Sequence, residues 1–320
     1  MTDRKKLAVV ALGGNALLRG TQIGTIEEQE DNALETIESL VFLVQEGYNL
    51  VLSHGNGPQV GNILMRNDAG EQNYNIPQMP LDICVADSQG GIGYIIERML
   101  RNVMKKHGLN REVVTLVTQV IVDKDDEAFS NPTKRVGRIY TKAQADQLAA
   151  DKGWEFKEEV KQTDGWRRVV PSPKPIGIVN EKVIETQAKL GNIVIAVGGG
   201  GIPVYIDEVG DIRPAEAVID KDLASSMLAS RIGADELYIL TDVPYIFRNY
   251  GKPDQEIMEF LDKKDTEKYL ASGEFAEGSM APKIRACLNF IDSGGDKSVI
   301  TESTKLVDKK YGSKITMEYD

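Results

Sequence analysis

Three lysines of this 320-residue chain lie beside helix starts or polar turns. Lys221 and Asp222 lie in AVIDKDLAS at the junction of an apolar segment and a helix, and Lys283 lies in SMAPKI, just inside another helix. Lys134 lies in FSNPTKRVGRIY, within a polar stretch. Phosphoryl transfer mainly needs positioning and positive charge around the moving group, and lysine supplies a point charge on a flexible stem. The three lysines are therefore candidates for stabilising a transferred phosphoryl group.

Three apolar strand patterns run directly into glycine-rich turns. Glycine tolerates backbone angles that other residues avoid, and it has no side chain to block a ligand. Several such turns can direct backbone N–H groups at one anion. They predict a phosphate site for a small molecule. The strand patterns are Leu7–Leu12, Asn49–Ser53 and Ile193–Val197, and the turns after them are Gly13-Gly14-Asn15, His54-Gly55-Asn56-Gly57 and Gly198-Gly199-Gly200-Gly201.

Composition narrows the class of protein. The net charge of −11 and the pI near 4.9 argue against a nucleic-acid partner, which would need a basic face. The apolar runs are far shorter than the ~20 residues of a membrane span, so we expect neither a signal peptide nor a membrane segment. Cys84, Cys287 and two histidines predict no disulfide framework and no metal motif. We predict a cytoplasmic protein.

The common catalytic signatures do not occur. The sequence lacks GxxxxGK[ST], and its glycine turns do not fit the GxGxxG dinucleotide pattern. It also lacks the HRD and DFG motifs of protein kinases and the GxSxG elbow of hydrolases. A phosphate-loop, dinucleotide, protein-kinase or serine-hydrolase site is therefore not expected.

Strand and helix patterns alternate along most of the chain. Thr25 and Glu28 form a predicted capping box before a helix that ends at Gly47, and a strand follows at once. The run Val113–Val122 predicts one buried strand. Such alternation implies crossover connections, and we expect an α/β protein with a mostly parallel sheet covered on both faces.

The middle of the chain breaks this rhythm. Residues 123–175 are polar and rich in proline, and Gly153–Val170 read as a hairpin around Asp164-Gly165. We predict that 123–175 form an inserted, protruding subdomain or lid within a single domain spanning 1–320. The alternative is a long surface excursion, which is uncommon in compact domains.

Seven segments together resemble one family. ALGGNAL, SHGNGPQVG, NPTKxxGRxY, VGGGGIPV, VIDKDLAS, LTDVPY and EGSMAPKI, in this order, are similar to the amino acid kinases and specifically to the carbamate kinases. The resemblance covers essentially the whole chain. Acetylglutamate kinases share the fold but usually carry a lysine where Asn15 stands here. The NPTKxxGRxY segment and the DKD triplet favour the carbamate branch.

The resemblance implies a fold, a reaction and partners. The fold would be an open, mostly parallel αβα sandwich with a protruding subdomain, assembled as a homodimer. The reaction would be ATP plus carbamate giving ADP and carbamoyl phosphate, often run backward to make ATP, with a role in arginine metabolism. Mg2+ would accompany the nucleotide, held mostly by phosphate oxygens and water. No metal-binding side chain is assigned. Because carbamate is already an anion, its oxygen can attack without a general base.

The resemblance also implies roles for single residues. Lys221 and Lys283 would bridge the ATP phosphates, Asp222 would orient them, and Lys134 would reach the carbamoyl end. Carbamate and the moving phosphoryl group would be held by Gly13, Gly14, Asn15, Gly55, Asn56, Gly198, Gly199, Gly200 and Gly201. The segment LTDVPYIF would wall the adenine site. The nucleotide would contact Lys221, Lys283, Asp242, Val243, Tyr245 and Met280.

The residues themselves leave alternatives open. Asp222 could cap the helix that starts at Leu223, Tyr245 could fill the core, and His54 could make a structural hydrogen bond rather than transfer a proton. For the whole chain, the alternatives are a kinase for another carboxylate and a non-catalytic metabolite sensor. The absence of a lysine at Asn15 argues against the first, and the presence of all three lysines argues against the second.

Overall fold

The computed structural model describes residues 4–19, 22–159, 165–308 and 311–319. In these ranges the α-helices are α1 (Ile26–Gln45), α2 (Gly57–Tyr74), α3 (Leu81–Lys106), α4 (Lys142–Lys152), α5 (Glu181–Lys189), α6 (Lys221–Arg231), α7 (Lys263–Ala271) and α8 (Met280–Asp292). Short 3-10 helices span Gly14–Ala16, Glu127–Phe129 and Gly198–Gly200.

The strands of the same ranges fall into four sheets. In chain order they are β1 (Leu7–Leu12), β2 (Asn49–His54), β3 (Val113–Thr115), β4 (Gln119–Val122), β5 (Lys134–Tyr140), β6 (Glu155–Glu158), β7 (Trp166–Val170), β8 (Pro175–Ile178), β9 (Ile193–Ile195), β10 (Ile202–Ile206), β11 (Ile212–Pro214), β12 (Glu236–Thr241), β13 (Ile246–Arg248), β14 (Glu256–Met258), β15 (Phe260–Asp262), β16 (Lys297–Glu302) and β17 (Ser313–Thr316).

An eight-stranded sheet forms the centre of the fold, in the order β15-β17-β16-β12-β1-β2-β9-β3. Its neighbouring strands pair in parallel, except that β16 and β17 are antiparallel. Parallel strands end at the same edge of a sheet. The turns after β1, β2, β9 and β12 therefore meet at the carboxyl edge, where ligands bind in open α/β sheets.

Each face of the sheet carries its own apolar core. On one face, α1 and α3 contribute residues such as Ile37, Leu40 and Leu100. On the other, α6 and α8 contribute residues such as Leu228 and Ile284. Helices thus cover both faces, and the α/β sandwich predicted from alternation is what the structure contains. In the described part of the chain, no helix is long and apolar enough to cross a membrane.

Strands β5, β6 and β7 form a separate small sheet in the order β5-β7-β6, and α4 lies between β5 and β6 in the chain. The pairing of β6 with β7 is antiparallel, as the hairpin prediction requires, although Asp164 lies outside the described residues. This sheet rests on α2. A Cβ placed on Gly61 of α2 would lie only 3.7 Å from the backbone nitrogen of Gly137 in β5.

The structure corrects two strand predictions. Val113–Val122 is not one strand, because β3 joins the central sheet and β4 joins a four-stranded sheet with β8, β10 and β11. Between them the side chain of Gln89 accepts a hydrogen bond from the N–H of Thr118 at 2.7 Å. The other strand stops at Ile195, and Val197 has a φ of 54°, outside the extended region. A continuous apolar run does not reveal where a chain leaves a sheet.

Candidate active site

The glycine turns after β1 and β2 are held close to neighbouring backbone. A Cβ on Gly13 would lie 2.6 Å from the carbonyl oxygen of Leu240, so no other residue fits there without movement. A Cβ on Gly55 would lie 3.3 Å from the Cδ of Lys221. The turn after β2 thus touches the stem of a predicted catalytic lysine. Asn15 belongs to the short helix Gly14–Ala16, and its side chain lies outside what the structure describes.

Helix α6 begins one residue after Asp220, which is its N-cap. The carboxylate of Asp220 accepts hydrogen bonds from the N–H groups of Asp222 at 2.9 Å and Leu223 at 3.3 Å. Aspartate is favoured in this role because it satisfies N–H groups that lack partners within the helix. Asp222 therefore does not cap the helix, contrary to that alternative. It lies in the first turn, and its carboxylate is free to bind side chains.

Asp222 bridges two lysines. Its carboxylate pairs with the Nζ of Lys221 through one oxygen and lies 2.8 Å from the Nζ of Lys283 through the other. Asp222 is 3 % exposed. Burial alone would raise the pKa of this carboxyl, but the two ammonium charges and their hydrogen bonds outweigh burial and lower the pKa to about 2. In turn, burial would lower the pKa of Lys283, yet the charge of Asp222 raises it above its ordinary value. Asp222 and Lys283 are therefore both ionised near neutral pH.

Two cavities meet at this cluster. The first, here the aromatic cavity, has a volume of about 510 Å³ and is lined by Phe247, Tyr250 and Phe275 among others. The second, here the glycine cavity, has a volume of about 270 Å³ and is lined by Gly55, Gly57 and Gly199 among others. Both cavities are bounded by the same five residues, namely Gly14, Asp220, Lys221, Asp222 and Lys283. A group passing between the cavities would pass the two lysines.

Of the four glycines after β9, only Gly199 lines the glycine cavity. The other three are needed for close packing. A Cβ on Gly198 would lie 2.4 Å from the Nε2 of His54, and one on Gly200 would lie 2.4 Å from the carbonyl oxygen of Ile219. A Cβ on Gly201 would lie 2.1 Å from Val120. The structure thus gives no direct contact with the cavity for Gly198, Gly200 and Gly201, which were predicted to hold the ligand.

The polar residues of the second turn are buried and hydrogen-bonded. The ring of His54 donates from Nδ1 to the carbonyl oxygen of Gly55, 2.9 Å away. Burial lowers the pKa of His54 to about 4, so the ring is neutral near pH 7. This favours the structural interpretation of His54. The amide of Asn56 donates to the hydroxyl of Ser88 at 2.9 Å, and Asn56 lines the glycine cavity.

Lys134 reaches the site from the inserted sheet. It begins β5 and lines the glycine cavity, but it is not part of the aromatic cavity. Its Nζ lies 3.4 Å from an oxygen of Asp220. The structure therefore brings together the three predicted lysines and Asp222, although they come from three separate parts of the chain.

The aromatic cavity corrects one predicted contact. Asp242, Val243 and Met280 line it, but Tyr245 does not. The ring of Tyr245 packs against that of Tyr311, with centroids 5.0 Å apart. Phe247 and Tyr250 line the cavity in its place, with ring centroids 5.7 Å apart.

Sequence reasoning missed Tyr250 and Asp220, and it placed Phe247 in the segment expected to wall the adenine site without naming it as a contact. Tyr250 follows Tyr245 by five residues, and nothing in this spacing distinguishes a cavity wall from core. For Asp220 a signal existed. Its type and its place before the helix fit an N-cap, as Asp222 also did.

Comparison with known proteins agrees with this geometry. The sequence pattern of the amino acid kinase family matches residues 6–302. The chain is 47% identical over 311 residues to a carbamate kinase of Pyrococcus horikoshii, covering 96% of this chain and 98% of that protein. It is 45% identical over 317 residues to one of Thermococcus kodakarensis, covering 98% and 100%. The chain belongs to the amino acid kinase family, in its carbamate kinase branch.

A solved structure supports the same assignment. Carbamate kinase from Giardia lamblia bound to AMP-PNP superposes with a TM-score of 0.91 at 41% identity, over 98% of both chains. The predicted resemblance to carbamate kinases and the predicted αβα fold are thus confirmed. As a member of this branch the chain is a phosphotransferase.

Proposed function

We propose that the chain transfers a phosphoryl group reversibly between ATP and carbamate, so that ADP and carbamoyl phosphate give ATP in the catabolic direction. The observation that carries this is the position of the cluster of Lys221, Asp222 and Lys283 between two cavities. Phosphoryl transfer needs an in-line arrangement of donor and acceptor with positive charge between them. Two ammonium groups held by one carboxylate supply that charge in a fixed position.

The aromatic cavity suits the nucleotide. Its volume of about 510 Å³ lies in the usual range for small-molecule sites, and Phe247 and Tyr250 offer flat faces for a base. A base in this cavity would direct its phosphates toward Lys283 and Lys221. The structure with AMP-PNP is that of a relative, and it supports a nucleotide site in this chain by similarity alone.

The glycine cavity suits the small acceptor. Its volume of about 270 Å³ leaves room for little beyond a carbamate and a phosphoryl group. Gly14, Gly55 and Gly199 line it without side chains, and Lys134 supplies a positive charge on the side of the inserted sheet. Carbamate is an anion with a nucleophilic oxygen, so the transfer requires no general base. The neutral, buried His54 is consistent with such a site.

The residues present fit a metal ion carried by the nucleotide. In the described ranges, no group of three or more His, Cys, Asp and Glu side chains could hold a metal ion. Mg2+ is commonly bound through phosphate oxygens and water with one or two carboxylates, and Asp242 on the aromatic cavity offers a carboxylate. When bound, the ion would neutralise charge on the phosphates.

We also propose that residues 123–175 act as a lid. Lys134 at the start of β5 would then enter or leave the glycine cavity as the small sheet moves on α2. The 1–320 extent of the single domain stays a prediction.

A homodimer is part of the proposal. Among the described strands, β3 lies at one edge of the eight-stranded sheet and pairs only with β9, and Tyr94 on the adjacent α3 is 63% exposed. A second copy would cover both. Cytoplasmic location is supported by Cys84 and Cys287, which are both free and buried. A role in arginine metabolism stays a prediction from the resemblance.

The decisive experiment measures ATP formation from ADP, Mg2+ and carbamoyl phosphate, with acetyl phosphate as the competing donor. We expect fast turnover confined largely to carbamoyl phosphate. Equal use of acetyl phosphate would instead indicate a kinase for other carboxylates. Tight ADP binding without turnover in either direction would indicate a metabolite sensor.

A further inference from the structure

Asp220 uses its two carboxylate oxygens for two different contacts. One oxygen accepts from the N–H groups of Asp222 and Leu223 and so caps α6. The other lies 3.4 Å from the Nζ of Lys134, a residue 86 positions away on the inserted sheet. One side chain therefore joins the start of α6 to Lys134 of the inserted sheet.

The contact between Asp220 and Lys134 adds little to stability. Their side chains are 24% and 40% exposed, and ion pairs with that much exposure are screened by water. Instead, the contact fixes the position of the Lys134 side chain. Without a counter-charge in the glycine cavity, the flexible lysine stem could turn toward solvent, because β5 fixes only its backbone.

Asp220 is also within electrostatic reach of Lys283, since its charge contributes to raising the pKa of that lysine. It lines both cavities. The carboxylate thus acts on lysines from both the inserted sheet and α8, while its cap fixes the first turn that carries Lys221 and Asp222.

We infer that Asp220 is a positioning residue that holds Lys134 at the glycine cavity in register with α6. This inference rests on the proposed function, because the proposed function is what places Lys134 next to carbamoyl phosphate. In the absence of the acceptor, Lys134 pairs with Asp220. When an anionic acceptor enters, the ammonium lies close enough to turn from the carboxylate to the ligand.

The Asp220→Asn variant separates the two contacts. Asparagine caps helices as well as aspartate, so α6 keeps its N-terminal hydrogen bonds. Its neutral amide does not attract the ammonium of Lys134. We expect kcat/KM for carbamoyl phosphate to fall between about tenfold and about a hundredfold, the range a small misplacement of a reacting group produces. The KM for ADP should change less than kcat/KM for carbamoyl phosphate, and the urea midpoint should stay unchanged.

A double-variant cycle tests whether the effect passes through Lys134. In a Lys134→Met background, Asp220→Asn should cause a clearly smaller fold-loss than in the unmodified chain. The same fold-loss in both backgrounds would overturn the inference, and so would an Asp220→Asn variant that matches the unmodified chain. A fall in urea midpoint large enough to account for the lost activity would mean that Asp220 acts only as the N-cap of α6, which would overturn the inference.

Asp262→Asn provides a matched control. Asp262 caps α7 by accepting from the N–H of Asp265 at 2.7 Å, and it lines neither cavity. Its neutralisation should leave turnover unchanged, and a loss equal to that of Asp220→Asn would contradict the inference. Failure of the proposed function has a different signature, since the unmodified chain would then form no ATP from carbamoyl phosphate, and both proposals would fall.

Discussion

The Nζ of Lys283 lies 2.8 Å from the Oδ2 of Asp222, although the two residues are 61 positions apart. Helices α6 and α8 begin at the same edge of the sheet, and this ion pair joins their first turns. The pair is almost enclosed, with Lys283 18% and Asp222 4% exposed in their side chains. An ammonium held in this way needs no rearrangement when charge develops on a transferred phosphoryl group.

Replacing Lys283 should therefore slow the chemical step. For Lys283→Met we expect kcat to fall by about 10²–10³, the cost of removing one preorganised electrostatic contact, about 2.7–4 kcal/mol. Steady-state ATP formation measures it. Lys263→Met is the matched control, because Lys263 pairs at 2.6 Å with Asp292 away from both cavities. Near-normal turnover of Lys283→Met would disprove the role of the lysine pair.

Lys134 lines the glycine cavity and not the aromatic cavity, so its loss should affect only one of the two substrates. For Lys134→Ala we expect the KM for carbamoyl phosphate to rise about tenfold to a hundredfold, the value of a hydrogen bond to a charged group. The Kd for ADP, measured by calorimetry, should not change. An equal loss for both ligands would contradict the assignment of Lys134 to the carbamoyl side.

The sequence was sufficient to predict which turns line the two cavities. Gly13 and Gly55 follow apolar strands, and parallel strands bring such turns to one edge whatever the details of packing. It was not sufficient to separate glycines that face a cavity from those that permit close packing. A Cβ on Gly199 would lie 2.2 Å from the amide of Asn56 and one on Gly201 would lie 2.1 Å from Val120, yet only Gly199 lines the glycine cavity. That difference depends on contacts with distant residues.

The aromatic residues show the same limit. Tyr245 and Phe247 are two positions apart, yet Phe247 lines the aromatic cavity and the ring of Tyr245 packs against that of Tyr311. The spacing of Tyr245 and Phe247 does not indicate which of them contacts Tyr311, a residue far along the chain. The sequence predicted that an aspartate could cap α6 but not which one, because Asp220 and Asp222 both precede apolar helical residues.

The two aromatic positions make a controlled test of the nucleotide site. For Phe247→Ala we expect the Kd for ADP to rise roughly five- to a hundredfold, because stacking on a base is worth about 1–3 kcal/mol. Tyr245→Ala is the control and should leave the Kd near that of the unmodified chain. Calorimetric titration with ADP measures both. A larger effect at Tyr245 than at Phe247 would place the base elsewhere.

Buried His54 should make the fold sensitive to mild acid. Its pKa is lowered by burial to about 4 from an ordinary value of 6.5, so between these values the unfolded chain binds the extra proton. The stabilising contribution is therefore present above pH 6.5 and is lost as the pH falls toward 4, by about 3 kcal/mol in all. Asp222, whose pKa is lowered to about 2, adds a second loss below about pH 3.8.

Urea midpoints measured from pH 7 to pH 4 test this. We expect the unmodified chain to lose stability over that range and a His54→Gln variant to lose less. His107→Gln removes the other histidine of the chain and should keep the acid sensitivity, because the buried ring remains. If His54→Gln shows the same pH dependence as the unmodified chain, the acid sensitivity arises elsewhere.

Alanine substitutions at Gly201 and Gly210 distinguish the cost of backbone strain from the cost of a steric clash. Their φ angles are 89° and 90°, so an alanine at either position adopts an unfavourable backbone conformation that costs about 1–2 kcal/mol. At Gly210 a Cβ meets open space, whereas at Gly201 it would lie 2.1 Å from the Cγ2 of Val120. We expect Gly201→Ala to be less stable than Gly210→Ala by about a further 1–3 kcal/mol, the usual cost of overpacking. Urea unfolding of both variants measures the difference. Equal losses would mean that Val120 moves aside without cost and that the tight turn after β9 reflects backbone conformation alone.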